Sequence, residues 1–119
     1  MGNNITIEKT YNFSVRIVNL YKYLSIEKKE YVISKQILKS GTSICANVEE
    51  AHGGISKSDF SHKISIAYKE ARETAYWLRL LHDTNFINKK LFDSIYKDCE
   101  EITKILFSIL KKSRNKDNV

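Results

Sequence analysis

Apolar residues recur at intervals of three and four along four stretches of the chain, the spacing of amphipathic helices. The first stretch runs from about Asn4 or Lys9 to Ser25, with Phe13, Ile17, Leu20, Tyr21 and Leu24 on one face. A charged break, Ile26 to Glu30, follows. The second runs from Tyr31 to His52, with Ile33, Ile37, Gly41, Ile44, Val48 and Ala51 inward. The third, to about Thr84, turns Phe60, Ile64, Ala67, Ala71, Ala75, Leu78 and His82 inward. The fourth, to about Ser113, does the same with Leu91, Ile95, Cys99, Ile102, Leu106 and Ile109.

The breaks carry end signals. Gly53 and Gly54 suit a left-handed cap after the second helix. Ser56 is an expected N-cap, with Asp59 favourable in the first turn, and Asn88 is the expected N-cap of the fourth helix. Short connections make sequential helices antiparallel neighbours. The predicted fold is therefore all-α: one up-down-up-down four-helix bundle over residues 1–119, with the first helix diagonal to the third and a flexible basic tail at 113–119. Small residues crowd the second helix at Ser40, Gly41, Thr42, Ser43 and Ala46. A mid-helix glycine costs about 1 kcal/mol against alanine, so Gly41 predicts close approach of a neighbouring backbone.

Two helices show apolar residues away from the core stripe. On the third, Ile66, Trp77 and Leu80 project opposite it at 100° per residue, with Tyr76 beside them and Glu73 among them. On the first, Tyr11, Val15 and Val18 do so. A row of this kind left in water is an exposed patch, so these residues are expected to form a subunit interface. Two unlike sticky sides on diagonal helices predict head-to-tail contact and closure into a ring.

Composition agrees with a helical globule: 42% apolar and 29% charged residues, no proline and four glycines in 119 residues. The net charge of +6 is concentrated toward the two ends. Lys111, Lys112, Arg114 and Lys116 make a basic terminus that would favour a polyanion, RNA or DNA. No stretch reaches the roughly 18 apolar residues of a membrane span, and Met1 to Thr10 lacks a signal-peptide core. Cys45 and Cys99 read as buried small hydrophobes, so a reduced cytoplasmic setting is expected.

Little catalytic chemistry is legible. Glu49 and His52 form one Glu-x-x-His unit of the kind that holds paired metals in bundles, but the second unit is missing, because Arg79 precedes His82 by three and the fourth helix has no histidine. No phosphate-binding glycine loop occurs. Glu70 and Glu73 are expected to pair with Lys63, Lys69 or Arg72. Asn47 and Glu50 flank the core stripe and call for partners among Arg16, Arg72 and Arg79. Neither a metal nor another cofactor is expected.

Three runs carry a family resemblance: Phe13–Tyr21 (FSVRIVNLY), Ser40–Ala51 (SGTSICANVEEA) and Phe60–Leu78 (FSHKISIAYKEARETAYWL). They resemble the four-helix-bundle proteins encoded in 23S rRNA intervening sequences. The matching positions are Arg16, Ser40, Gly41, Ser43, Ala46, Asn47, Glu50, Glu73, Thr74, Tyr76, Trp77 and Leu78. The resemblance implies a non-enzymatic bacterial bundle, some of whose relatives are named as ribosomal proteins, and a polar network of Arg16, Asn47 and Glu50. The chain is also similar to the accessory proteins of diversity-generating retroelements. That similarity implies a pentamer associating with nucleic acid and a reverse transcriptase. The sequence reading is thus a ring-forming nucleic-acid binder that works through phosphate contacts. The rival reading is a protein–protein scaffold without nucleic acid.

Overall fold

The computed structural model describes residues 2–117, and side chains from 5 to 114. Four helices follow one another: α1 (Gly2–Lys22), α2 (Ile33–His52), α3 (Lys57–Asp83) and α4 (Lys89–Asp117). α2 packs between α1 and α3, and α3 between α2 and α4, while α1 and α4 close the ring of helices more loosely. α1 and α3 lie diagonally, as the short connections require. The molecule is a rod of 50 × 23 × 21 Å.

The helix ends are built differently from the sequence expectation at several points. α1 begins at Gly2, earlier than Asn4 or Lys9, and passes through a π-helical turn, Tyr23–Glu27, before it stops. Thr6 and Thr10 account for the early start: both are buried, and the Thr10 hydroxyl donates to the Thr6 carbonyl at 2.8 Å. The π turn closes with Lys28 N–H donating to the Tyr23 carbonyl at 3.2 Å, and Lys29 then takes a left-handed φ of 56°. Neither Gly53 nor Gly54 has positive φ; Gly53 ends α2 at φ −91°. Gly54 serves close approach instead, since a Cβ there would stand 2.5 Å from Asp59 Oδ2. The left-handed helix cap falls on Asn85, φ 70°, after α3. There Phe86 N–H reaches the Leu81 carbonyl at 2.9 Å and Asn85 N–H the His82 carbonyl at 3.0 Å, a Schellman closure.

Both expected N-caps form. Ser56 Oγ accepts from Asp59 N–H at 3.0 Å, and Asn88 Oδ1 from Leu91 N–H at 2.8 Å. α2 is capped by a residue the sequence reading passed over. The Glu30 carboxylate accepts from the N–H groups of Val32, Ile33 and Ser34 at 3.2, 2.9 and 2.6 Å. α4 continues past Ser113 to Asp117.

The core follows the predicted stripes with small shifts. Phe13, Ile17, Leu20, Leu24, Ile37, Ile44, Val48, Ile64, Ala67, Ala71, Leu78, Ile95, Cys99, Ile102 and Leu106 are buried. Leu81 and Leu110 join them, while Phe60, Ala75, Leu91 and Ile109 pack at the margin. Ile87, in the α3–α4 connection, plugs one end. Gly41 marks a close approach, though to a side chain and not to a backbone. A Cβ on it would lie 2.7 Å from both Cγ atoms of Ile17, which is fully buried. Across the α2–α3 seam, Thr74 Oγ1 donates to Ser40 Oγ at 2.9 Å, with the Glu70 carbonyl also 2.8 Å away.

Two outcomes test this packing. Gly41→Ala gains about 1 kcal/mol of helix propensity but overpacks a site whose neighbouring atoms sit near the Ile17 backbone, a cost of about 1–3 kcal/mol. Urea unfolding should show a lower midpoint for the variant; a midpoint equal to or above the parent's would refute the close seat. For Glu30, burial alone would raise the carboxyl pKa, but the three N–H donors outweigh it and hold the group below its ordinary value. Its stabilisation is therefore complete above the unfolded-state pKa and is lost as pH falls through the lower folded-state value. Glu30→Gln should cost about 1 kcal/mol at neutral pH, and the difference from the parent should vanish in acid. A gap independent of pH would assign the cap's worth to shape and not to charge.

Candidate functional site

α4 carries a row of exposed lysines. Lys90, Lys97, Lys104 and Lys111 recur every seven residues, so they stack along one side of the helix, about 10 Å of rise apart. All four are exposed. Of the acids on α4, Asp93 pairs with Lys89 at 2.5 Å, Asp98 with Arg16 at 2.8 Å, and Glu101 with Lys9, while Glu100 is exposed, makes no ion pair among the described residues and lies one turn from both Lys97 and Lys104. The four stripe lysines, and Lys112 beside them, have no ion-pair partner among the described residues. Lys111, Lys112 and Arg114, expected as phosphate contacts, stand exposed at the end of this stripe. The Lys116 side chain lies outside the described residues. The sequence reading missed Lys90, Lys97 and Lys104, although the seven-residue spacing was the available signal.

The proposed interface residues divide into two kinds. Tyr11 and Val15 on α1 are 58% and 45% exposed, and Tyr76 on α3 is 47% exposed. Val18, Ile66, Trp77 and Leu80 are only partly exposed. Trp77 does not stand clear of its own bundle: its ring packs against the core, and its Nε1–H donates to Glu73 Oε2 at 3.1 Å. Tyr76 meets Trp77 edge-on, ring centres 4.8 Å apart.

Arg16, Asn47 and Glu50 are not brought together. Arg16 faces the α1–α4 seam, where it donates to Asp98 and, at 3.1 Å, to Ser94 Oγ. Asn47 bonds the Ser43 carbonyl at 2.8 Å, and Glu50 pairs with Lys63 of α3 at 2.9 Å. The residues serve two different seams, so a single network cannot form. Glu70 and Glu73 also lack the expected Lys69, Arg72 and Lys63 pairs. Burial, then the Glu73 charge, pushes the Glu70 carboxyl up, with Ser43 and Lys39 offsetting in part.

The other chemistry-bearing groups are enclosed. Burial raises the Cys45 thiol, whose Sγ lies 3.5 Å from Glu49 Oε2, and pushes Cys99 up to about 12. His52 is tilted against Phe60 with ring centres 5.6 Å apart, and its Nε2 is buried without a partner. Burial depresses its pKa. Among the described residues no group of three or more His, Cys, Asp or Glu side chains could hold a metal, and no helix is long and apolar enough to cross a membrane.

Four clefts open among the described residues. Two, of about 220 and 230 Å³, lie along the looser α1–α4 seam on either side of Arg16. The third, of about 270 Å³, opens at the end of the bundle where α3 starts and α4 finishes, between Lys57, Phe60, Ile109, Lys112 and Ser113, and the fourth, of about 240 Å³, lies on the α3–α4 seam at Arg72, Arg79, Glu100 and Lys104.

The profile of the 23S rRNA-intervening sequence protein family matches residues 2–108. The chain belongs to that family. A similar solved structure is a crystal structure from Bacteroides thetaiotaomicron, described as a protein with unknown function from the S23 ribosomal protein family. It is 53% identical, covers 93% of this chain and 99% of its own, and superposes with a TM-score of 0.91. No curated protein matches the chain. In this member of the intervening-sequence family, the positions that carry the resemblance are largely structural. Gly41 seats Ile17, Ser40 and Thr74 join α2 to α3, Leu78 is core, and Glu73 holds the Trp77 indole.

Proposed function

We propose that this intervening-sequence family protein is a non-enzymatic bundle that assembles with copies of itself into a ring and binds RNA along α4. The observation that carries the RNA reading is the stripe of Lys90, Lys97, Lys104 and Lys111. None of the four makes an ion pair among the described residues, and of the acids on that helix Asp93, Asp98 and Glu101 are paired elsewhere, which leaves Glu100 as the acid beside the stripe. Lysines spaced along an exposed helix suit contact with successive phosphates, a sequence-independent interaction driven by counterion release. The family's name associates its members with 23S rRNA, which makes RNA the polyanion to test first. Enclosed cysteines and the absence of a metal cluster among the described residues give no support to an enzymatic reading.

Self-association is supported by exposed Tyr11 and Val15 on α1 and Tyr76 on α3, which lie on diagonal helices. Contact between two unlike faces propagates head-to-tail and ends only by closing. Five subunits is the number implied by the resemblance to retroelement accessory proteins.

RNA affinity should fall linearly on logarithmic axes as salt rises, with a slope of about −3 if four or five lysines engage a single strand. Lys97→Gln, Lys104→Gln and Lys111→Gln together should flatten that slope and weaken binding at low salt. Absence of binding at low salt, with self-association intact, would leave the scaffold reading. For assembly, Tyr11→Glu with Val15→Glu is the informative variant, because Trp77 holds its own core and its loss would confound folding with dissociation. Light scattering should show an oligomer larger than a dimer for the parent and a monomer of unchanged helicity for the variant. A monomeric parent at high concentration would dismiss the ring.

A further inference from the structure

We infer that the cleft at the α3–α4 end of the bundle receives an unpaired nucleobase, so that the protein prefers single-stranded RNA to duplex. This inference rests on the RNA reading above and specifies its partner. The cleft has an apolar wall, Phe60 and Ile109, and is edged by Lys57, Lys112 and Ser113. Its volume of about 270 Å³ sits at the small end of ligand pockets, which begin near 300 Å³. It admits one flat ring system and not an extended ligand.

An aromatic surface between two exposed ammonium groups selects a planar body that carries negative charge beside it. A nucleotide has that chemistry. Lys57 and Lys112 line the cleft and are exposed, so their ammonium groups are available to a flanking phosphate. The Phe60 ring packs on the tilted ring of His52. Position supplies the second argument. The α4 stripe ends at Lys111, the residue before Lys112 of the cleft edge. Lys112 lies about 100° around the helix from Lys111, so a strand leaving the stripe must cross the end of α4 to reach Phe60. Bases inside a duplex have no free face to offer, whereas any unstacked base does, so the recognition is of strandedness and not of sequence.

The test compares a labelled single-stranded RNA of about 12 nucleotides with a hairpin of the same length, by fluorescence anisotropy at low salt. The expected result is binding of the single strand about tenfold tighter than the hairpin. Phe60→Leu should erase that preference by weakening the single strand alone, and Phe60→Trp should keep it. Lys104→Gln with Lys111→Gln should weaken both RNAs alike. Because Phe60 also packs at the core margin, the parent protein provides a check that needs no variant. AMP should shift the amide resonances of Phe60 and Ile109 more than inorganic phosphate does. Equal affinity for the two RNAs, or equal shifts from AMP and phosphate, would overturn the base cleft while the α4 stripe stands. Failure of both RNAs to bind would overturn the stripe and the cleft together.

Discussion

The bundle turns on the seat of Ile17 against Gly41. With no side chain at Gly41, α1 can settle onto α2 so closely that a single Cβ would collide with both Ile17 Cγ atoms. One turn of helix contains both this seat and Ser40, whose hydroxyl meets Thr74 on α3. α2 is thereby held on two sides through small residues, and it becomes the helix against which α1 and α3 are placed. α4 then has only α3 as a close neighbour, and it closes to α1 across ion pairs at the rim, Arg16 with Asp98 and Lys9 with Glu101. Exposed pairs of this kind contribute little stability, so they set the register of that seam more than its strength. Two clefts flank Arg16 along that seam.

Helix existence, order and inward faces were legible because they depend on periodicity, which the chain repeats over many turns. Features set by a single long side chain or a single backbone angle were not. Trp77 projects away from the core when only its Cα angle is considered. An indole, however, reaches over the neighbouring ridge and back toward the core, and a projection at 100° per residue cannot show that reach. Gly53 and Gly54 are the residues best able to take positive φ, yet that conformation falls on Lys29 and Asn85. At Asn85 the tertiary need to return Ile87 to the core decides the turn, and asparagine tolerates the left-handed region. The Glu30 cap escaped notice because it stands two residues outside the usual N-cap, inside what reads as a charged break. Thr6 and Thr10 look polar in sequence but behave as core once Thr10 bonds within its own helix.

The candidate surfaces were legible in part for the same reason. A basic terminus is visible as a run of letters, while Lys90, Lys97 and Lys104 are dispersed among acids. Only the pairing of Asp93, Asp98 and Glu101 with Lys89, Arg16 and Lys9, against an unpaired Glu100, shows which charge is left over. The expected union of Arg16, Asn47 and Glu50 failed because polar residues near a core stripe carry no label for the seam they will face. Arg16 turns to α4 and Glu50 to α3.

The proposed roles use separate sides of one small rod, and this bears on the modest net charge of +6. The proposed self-contact uses Tyr11, Val15 and Tyr76, none of which is a stripe lysine, so assembly and polyanion binding need not compete for the same residues. The proposed ring would present one lysine stripe per subunit to the same strand. Once one stripe is engaged, the next meets the RNA at a local concentration fixed by the ring's geometry and not by the bulk. Weak phosphate contacts in each subunit thus add up along the strand, provided that it is long enough to span neighbouring stripes. A weakly basic monomer can be an effective RNA binder when its charge is arranged in stripes and repeated by symmetry. On this argument a variant that remains monomeric should lose affinity for long RNA much more than for a strand short enough to occupy one α4.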